Sequence, residues 1–297
     1  MYREISHNKL VTWLILVGFV IFIVFVCFVY SYLYDYGWLG IIFGLIFSVP
    51  SVLIGYYVSD QIVLSMAGAR EVTRKDNKDL YNLVDNLAIA SGLPKPKIYV
   101  VDDPAMNAFA TGRDPNHAVV AFTTGLLNNL SRTELEGVAA HELSHIKNFD
   151  TRLSTVVIIF VGLIVVLAEW FIRFGRFGSN RSKNNTGSIF AIFGVIVIIL
   201  SPLVAQLIQL ALSRTREYLA DADAALLTRY PQGLIGALEK LSNQNNLLQN
   251  SSNVMNHMYI TDPVKSLSGN GKSFWGDLFS THPPVEERIK KLKEMIK

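Results

Sequence analysis

The chain has 297 residues, of which 51% are hydrophobic and only 17% are charged, and its mean hydropathy is +0.32. These values exclude an ordinary soluble domain of this length and predict a membrane protein. The formal net charge of +3 is small and is spread along the chain, so a nucleic-acid partner is not expected. The single cysteine, Cys27, lies in an apolar run and is expected to be a packing residue.

Two long apolar runs, residues 10–30 and 37–58, are the first predicted elements. Both lack charged residues and are long enough to span a bilayer as helices. Arg3 and Lys9 precede the first run, as in a cleavable signal peptide, but that run is too long and no small-residue cleavage pattern follows it. The sequence therefore predicts an N-terminal membrane anchor.

The residues after the second run are polar enough for a soluble domain. "EVTRKDNKDLYNLVDNLAIASGL" has helical spacing of its apolar residues and closes on Gly92, ahead of two prolines. "KIYVV", "AMNAFAT" and "AVVAFTTG" are short, rich in β-forming residues and separated by turn residues, which predicts a small sheet. Ser131 and Glu134 then form a capping box, so a helix is expected to begin there and to continue through "AAHELSH".

This helix contains a metal-binding pattern. His141 and His145 are four residues apart and therefore share a face, and Glu142 borders the same opening. Zinc binds neutral imidazole nitrogens, and a neighbouring carboxylate can deprotonate a water molecule on the metal. The alternative is a helix that contains two ordinary histidines. A third ligand would decide between them.

Two further apolar runs, 155–171 and 189–212, predict a hydrophobic hairpin. The first is short and contains Glu169, and the second contains a proline and two glutamines. Length favours full spanning of the membrane, whereas the polar residues leave partial insertion open.

The third ligand is expected on a second helix, after the hairpin. A metzincin-like third histidine is excluded, because Thr151 occupies its position. Asp150, five residues beyond His145, is expected to be rotated away from the metal-binding face. In "SRTREYLADADAA", Glu217 and Asp221 are four apart, so Glu217 can ligate while Asp221 accepts a hydrogen bond from a histidine. The alternative is a solvated, charged helix face.

Four motifs, "MNAFATG", "GVAAHELSHIKNFD", "SRTREYLADADAA" and "STHPPVEERI", occur in the order found in the HtpX-like membrane zinc metallopeptidases, a family that the chain resembles over nearly its whole length. The resemblance implies one zinc ion held by His141, His145 and Glu217. It also implies that Glu142 is the general base and that Asp221 lies behind a ligand. It further implies a membrane endopeptidase of membrane-protein quality control.

Four other residues are candidate substrate or oxyanion contacts. Asn107 begins "NAFATG", which either offers an edge strand to an extended substrate or is a buried strand near a turn. His282 either stabilises an oxyanion or caps the last helix. Tyr218 is a further candidate for the oxyanion role, as is His257. Ser144, within the motif, is expected to be a packing residue.

The predicted fold is membrane-anchored and mainly α-helical with a small β-sheet, and a zincin-like metallopeptidase domain accompanies about four membrane helices. The predicted segments are the anchor at 1–58, the first part of the zincin domain at 59–154, the hairpin at 155–212 and the second part at 213–297.

The predicted function is zinc-dependent endopeptidase activity at the cytosolic membrane surface. Glu142 would take a proton from the attacking water and pass it to the leaving amine. The expected partners are protein substrates, mainly membrane proteins, and the lipid bilayer, and the sequence does not predict an oligomeric state. A catalytically inactive zincin-fold scaffold is the alternative, and the presence of Glu142 argues against it.

The distribution of basic residues predicts the topology. Arg3 and Lys9 place the N-terminus in the cytoplasm, and the second run returns the soluble domain to that side of the plasma membrane. "RFGRFGSNRSKNN", between the third and fourth runs, is basic and contains no acid, so full spanning of both runs would violate the positive-inside rule there. Both halves of the metal site must lie on one side, so both runs cross the membrane or neither does.

Overall fold

The structure is a computed structural model that describes residues 2–33, 35–178, 213–243 and 283–296. The helices are α1 (Tyr2–Leu33), α2 (Leu39–Tyr57), α3 (Ser59–Met66), α4 (Lys78–Ser91), α5 (Thr124–Asn129), α6 (Arg132–Lys147), α7 (Asp150–Gly178), α8 (Arg214–Thr228), α9 (Pro231–Ser242) and α10 (Val285–Glu294). The strands are β1 (Ala69–Glu71), β2 (Lys97–Val101), β3 (Ala108–Thr111) and β4 (Val119–Thr123), and a 3₁₀ turn covers Pro115–His117.

The first two helices form a hairpin with the properties of membrane spans. Ile5–Val29 and Leu39–Tyr57 have mean hydropathies of 3.0 and 2.1 and leave most of their surface uncovered by protein. Their backbones approach closely, because a Cβ on Gly40 would lie 2.5 Å from the carbonyl oxygen of Cys27. Only glycine fits at that contact.

α7 joins this hairpin and contains the third apolar run. The rings of Phe19 in α1 and Phe160 in α7 stack with their centroids 4.3 Å apart. Leu16, Val52 and Val157 belong to the same apolar cluster, so three helices share one core. The fourth apolar run lies outside the described residues, and the expectation of about four membrane helices therefore stays a prediction.

The predicted small sheet is present and has four strands in the order β1-β2-β4-β3. β2 and β4 are parallel, whereas β1 pairs with β2 and β3 pairs with β4 in antiparallel fashion. Within the part of the chain that the structure describes, β3 is therefore an edge strand of this sheet. The short β1 has no clear pattern in the sequence, and the structure adds it to the three predicted strands.

The histidine-containing helix α6 lies at the centre of the soluble part. Its capping box is formed, because the Ser131 hydroxyl accepts from the amide of Glu134 and the Glu134 carboxylate accepts from the amide of Ser131. α6 packs against α4, α8, α9 and β3. Nine of its residues are buried, so the helix that carries the histidines is held rigidly.

Candidate metal centre

Three side chains from two distant parts of the chain converge between α6 and α8. His141 and His145 come from α6, and Glu217 comes from the first turn of α8. One potential ligand atom from each residue lies within 4.8 Å of the other two. The structure thus brings together the residues that the sequence indicated as metal ligands.

The separations of these atoms fit a tetrahedral ion. The Nε2 atoms of His141 and His145 are 3.2 Å apart. The Glu217 carboxylate oxygens lie 3.6 Å from the Nε2 of His141 and 3.5 Å from that of His145. Two donors bonded to a tetrahedral zinc at about 2.05 Å would be about 3.3 Å apart. Two imidazole nitrogens and one carboxylate group at these distances are a donor set that zinc accepts.

The Nδ1 atom of His141 contacts Asp221, which forms a buried ion pair with Arg288. This Nδ1 atom lies 3.0 Å from the Oδ1 of Asp221, whose carboxylate accepts two hydrogen bonds from Arg288 at 2.6 and 2.8 Å. Arg288 is fully buried. Because Asp221 accepts a hydrogen bond from the Nδ1–H of His141, the Nε2 lone pair of His141 remains for a metal.

Charges around His141 favour a cation at this position. Burial alone would lower the pKa of His141, but Asp221 and Glu217 outweigh it and raise that pKa to about 9. Burial would also raise the pKa of Asp221, whereas the Arg288 guanidinium overcomes this effect and lowers it to about 2. The carboxylates that stabilise an imidazolium would equally stabilise a divalent ion between the imidazoles.

His145 also has a carboxylate behind it, and the sequence did not indicate this residue. Asp150, at the start of α7, places its Oδ2 3.0 Å from the Nδ1 of His145. The rotation argument set Asp150 aside as a ligand, and it is absent from the ligand cluster of the described residues. That argument assumed one straight helix, whereas α6 ends at Lys147 and Phe149 has φ +62°, so the chain turns and returns Asp150 to the histidine.

Glu142 follows the first histidine and is 3% exposed. The negative charge of its carboxylate contributes to the raised pKa of Arg288, which places these two groups in one electrostatic environment. Ser144 donates to Asp223 of α8 at 2.8 Å, and Asn148 donates to the same carboxylate at 3.2 Å. The serine in the motif therefore fastens α6 to α8.

The candidate substrate and oxyanion contacts lie in different parts of the molecule. Asn107 is buried immediately before β3, and its Oδ1 accepts from the amide of Ala108 at 3.0 Å. The hydroxyl of Tyr218 donates to Glu287 at 2.7 Å, which directs it toward α10. His282 and His257 lie outside the described residues.

Arg288 is another important residue that sequence reasoning missed, although it lies within "STHPPVEERI". It shares a helix face with Val285, Ile289 and Leu292, which all contribute to the core. An arginine among apolar positions requires a buried acid as its partner. That pattern could have indicated the contact with Asp221.

Comparison with known proteins gives consistent matches. Residues 74–296 match the family described as Peptidase family M48. Two curated proteins named Protease HtpX homolog, from Dictyoglomus turgidum and Tropheryma whipplei, are each 45% identical over 99% of this chain and over 94% and 98% of their own lengths. Another of that name, from Streptococcus pneumoniae, is 40% identical over 99% of this chain and its own full length. The crystal structure of S. mikatae Ste24p matches with a TM-score of 0.52 and 20% identity, over 97% of this chain and 66% of that one, which shows likeness of fold.

Proposed function

The chain belongs to peptidase family M48 and is a membrane-bound metalloprotease, and we propose that His141, His145 and Glu217 hold its catalytic zinc ion. The observation that carries this proposal is the convergence of three ligand atoms within 4.8 Å of one another from α6 and α8, which are far apart in the chain. A solvated helix face would not bury Glu217 beside two imidazoles, and this residue is only 9% exposed.

When bound, zinc supplies a Lewis acid that activates water and polarises the scissile carbonyl. Glu142 takes the proton of the attacking water and later delivers it to the leaving amine. Asp221 and Asp150 accept hydrogen bonds from the Nδ1–H groups of His141 and His145, respectively. Each Nε2 would thereby be left to bind the metal. No covalent intermediate with the protein is needed.

Substrates would bind beside α6 in an extended form. β3 is an edge strand next to this helix, so a substrate strand could pair with its backbone, and Asn107 lies at its start. Peptide substrates that are N-methylated at the pairing amides should show a raised KM. Unchanged kinetics across a series of N-methylated positions would contradict binding at this strand.

The membrane location suggests membrane proteins as substrates and quality control as the role, as the resemblance implies. The anchor is proposed to place the site at the cytosolic surface of the plasma membrane, with the hairpin at 155–212 providing a third and a fourth membrane helix. An inactive scaffold is not favoured, because Glu142 and the whole ligand set are present.

Zinc content and proteolysis of purified variants test the assignment. Glu142→Gln should retain zinc but lose about 10²- to 10⁴-fold in casein cleavage, because an amide cannot accept the proton. Glu217→Ala should lose zinc itself, whereas Asp221→Ala should lose about 10- to 100-fold in metal affinity or activity. Glu136→Gln, on the same helix as Glu142, is the matched control and should behave as wild type. Normal zinc content in Glu217→Ala would refute the third ligand.

A further inference from the structure

A buried asparagine connects the first membrane helix to the metal centre. Asn8 in α1 is 1% exposed, although it lies at the start of a helix with a mostly lipid-facing surface. Its Nδ2 donates to the Oδ1 of Asp150 at 2.7 Å and to the carbonyl oxygen of Asn148 at 3.0 Å. Buried polar side chains of this kind are expensive unless their partners are fixed.

Asp150 divides its two oxygens between the anchor and the metal site. Oδ1 accepts from Asn8 and, at 3.4 Å, from Arg216, whereas Oδ2 lies 3.0 Å from the Nδ1 of His145. An amide NH₂ can only donate, so it holds one carboxylate oxygen of Asp150 toward α1 and fixes the orientation of the carboxylate. The other oxygen is thereby directed at the histidine.

We propose that Asn8 is a positioning residue for the metal ligand His145, acting through Asp150, so that the first membrane helix forms part of the catalytic centre. The proposal rests on the proposed function, in which His145 binds zinc. Asn8 orients the carboxylate, the carboxylate holds the Nδ1 proton, and this tautomer leaves Nε2 for the metal. A helix that served only as a tether would have no influence on zinc affinity.

The test is the zinc dissociation constant of the full-length protein in detergent, measured by chelator competition. Asn8→Asp is isosteric but replaces the donor by a second carboxylate, so it should weaken zinc binding about 3- to 10-fold, the range that one net hydrogen bond supplies. Asp150→Asn should weaken it about 10- to 100-fold, because the amide will turn its oxygen to Asn8 and its NH₂ to His145.

The double variant Asn8→Asp with Asp150→Asn separates positioning from packing. In it, the new carboxylate at position 8 accepts from the amide NH₂ at position 150, which turns the amide oxygen back to His145. Zinc affinity should therefore recover above that of Asp150→Asn alone, and the visible spectrum of the cobalt-substituted protein should return toward that of wild type. Recovery of thermal stability without recovery of affinity would overturn the proposal.

Ser31→Ala is the matched control. Ser31 is another buried polar residue of α1, and it fastens the hairpin by contacts to Gly37 and Gly40 at the opposite end of the helix. It should lower thermal stability and leave zinc affinity unchanged. Wild-type affinity in Asn8→Asp would overturn the positioning role. Normal zinc binding in Glu217→Ala would instead refute the proposed function. The failure of the proposal and the failure of the proposed function are therefore distinguishable.

Discussion

Arg288 supplies a buried positive charge beside the carboxylates of Asp221 and Glu217. It is fully buried and forms a two-point contact with Asp221, and its guanidinium also lies 3.4 Å from the Nε2 of His141 and 3.6 Å from the Glu217 carboxylate. A planar guanidinium makes this contact with both carboxylate oxygens, whereas a lysine ammonium would act as a single point charge. The C-terminal helix is therefore connected to the chemistry through one side chain.

Replacing Arg288 with alanine should destabilise the fold by about 3–5 kcal/mol, because it leaves the Asp221 carboxylate buried without its cation. Arg288→Lys should recover part of this stability but not the full zinc affinity, because the two-point contact is lost. Thermal unfolding and zinc titration of both variants measure these effects. Lys293→Ala, on the exposed face of the same helix, is the control. Equal zinc affinity in the alanine variant and the wild type would contradict the link to His141.

The same ion pair predicts the acid limb of stability. The folded pKa of Asp221 is about 2, below its ordinary 3.8, so its contribution is fully present above pH 3.8 and is lost as the pH falls toward 2. In Arg288→Ala this contribution should disappear, and stability should depend less on pH in that window. Unfolding of chelator-treated protein from pH 5 to 2 tests the prediction without contributions from metal release. An unchanged slope would contradict it.

At the scale of elements, the close contact between α6 and α9 depends on glycine. A Cβ on Gly137 would lie 2.6 Å from the backbone nitrogen of Leu234, which cannot yield as a flexible side chain would. α9 also has a glycine at this contact, because a Cβ on Gly233 would lie 2.4 Å from the carbonyl oxygen of Thr133 in α6. These two residues let the backbones touch and set the depth at which the histidine helix is buried.

Gly137→Ala should force these helices apart and destabilise the protein by about 1–3 kcal/mol, despite the higher helix propensity of alanine. Thermal unfolding of the purified protein measures the change. Gly18→Ala is the control, because among the described residues no atom lies within 4 Å of its Cβ position. Similar stability changes in the two variants would show that packing against α9 is not the cause.

Elements with strong local signals could be predicted from the sequence. The capping box at Ser131 gives the start of α6, and the apolar runs give α1 and α2. Local spacing also indicated Glu217, because its helix follows an apolar run and repeats acids four residues apart. Asp150 and Asn8 could not be found in this way, because their contacts depend on a left-handed turn at Phe149 and on packing between distant helices.

At the scale of the whole molecule, the anchor and the catalytic part share a core, so the orientation of one determines the orientation of the other. α1, α2 and α7 pack together, and α7 begins directly behind the metal centre at Asp150. We therefore expect the N-terminus and the site to lie on the same side of the membrane. Arg3 and Lys9, ahead of the first apolar run, favour the cytoplasm for that side.

Cysteine accessibility tests this topology. Asn116→Cys, in a Cys27→Ser background, introduces a thiol at an exposed position of the soluble part. An impermeant maleimide should leave it unlabelled in intact cells and should label it after the cells are lysed. Labelling in intact cells would place the site outside. An introduced cysteine at Asp35, in the turn between α1 and α2, is the reciprocal control and should react from outside.

The long separation between Arg288 and His141 also has a consequence during synthesis. The two residues touch in the folded protein but are 147 positions apart in the chain. At about 5–20 residues per second, the ribosome needs roughly 7–30 s to add the second after the first. The histidine helix therefore emerges well before the arginine that completes its surroundings. The candidate metal centre stays incomplete throughout this interval of synthesis.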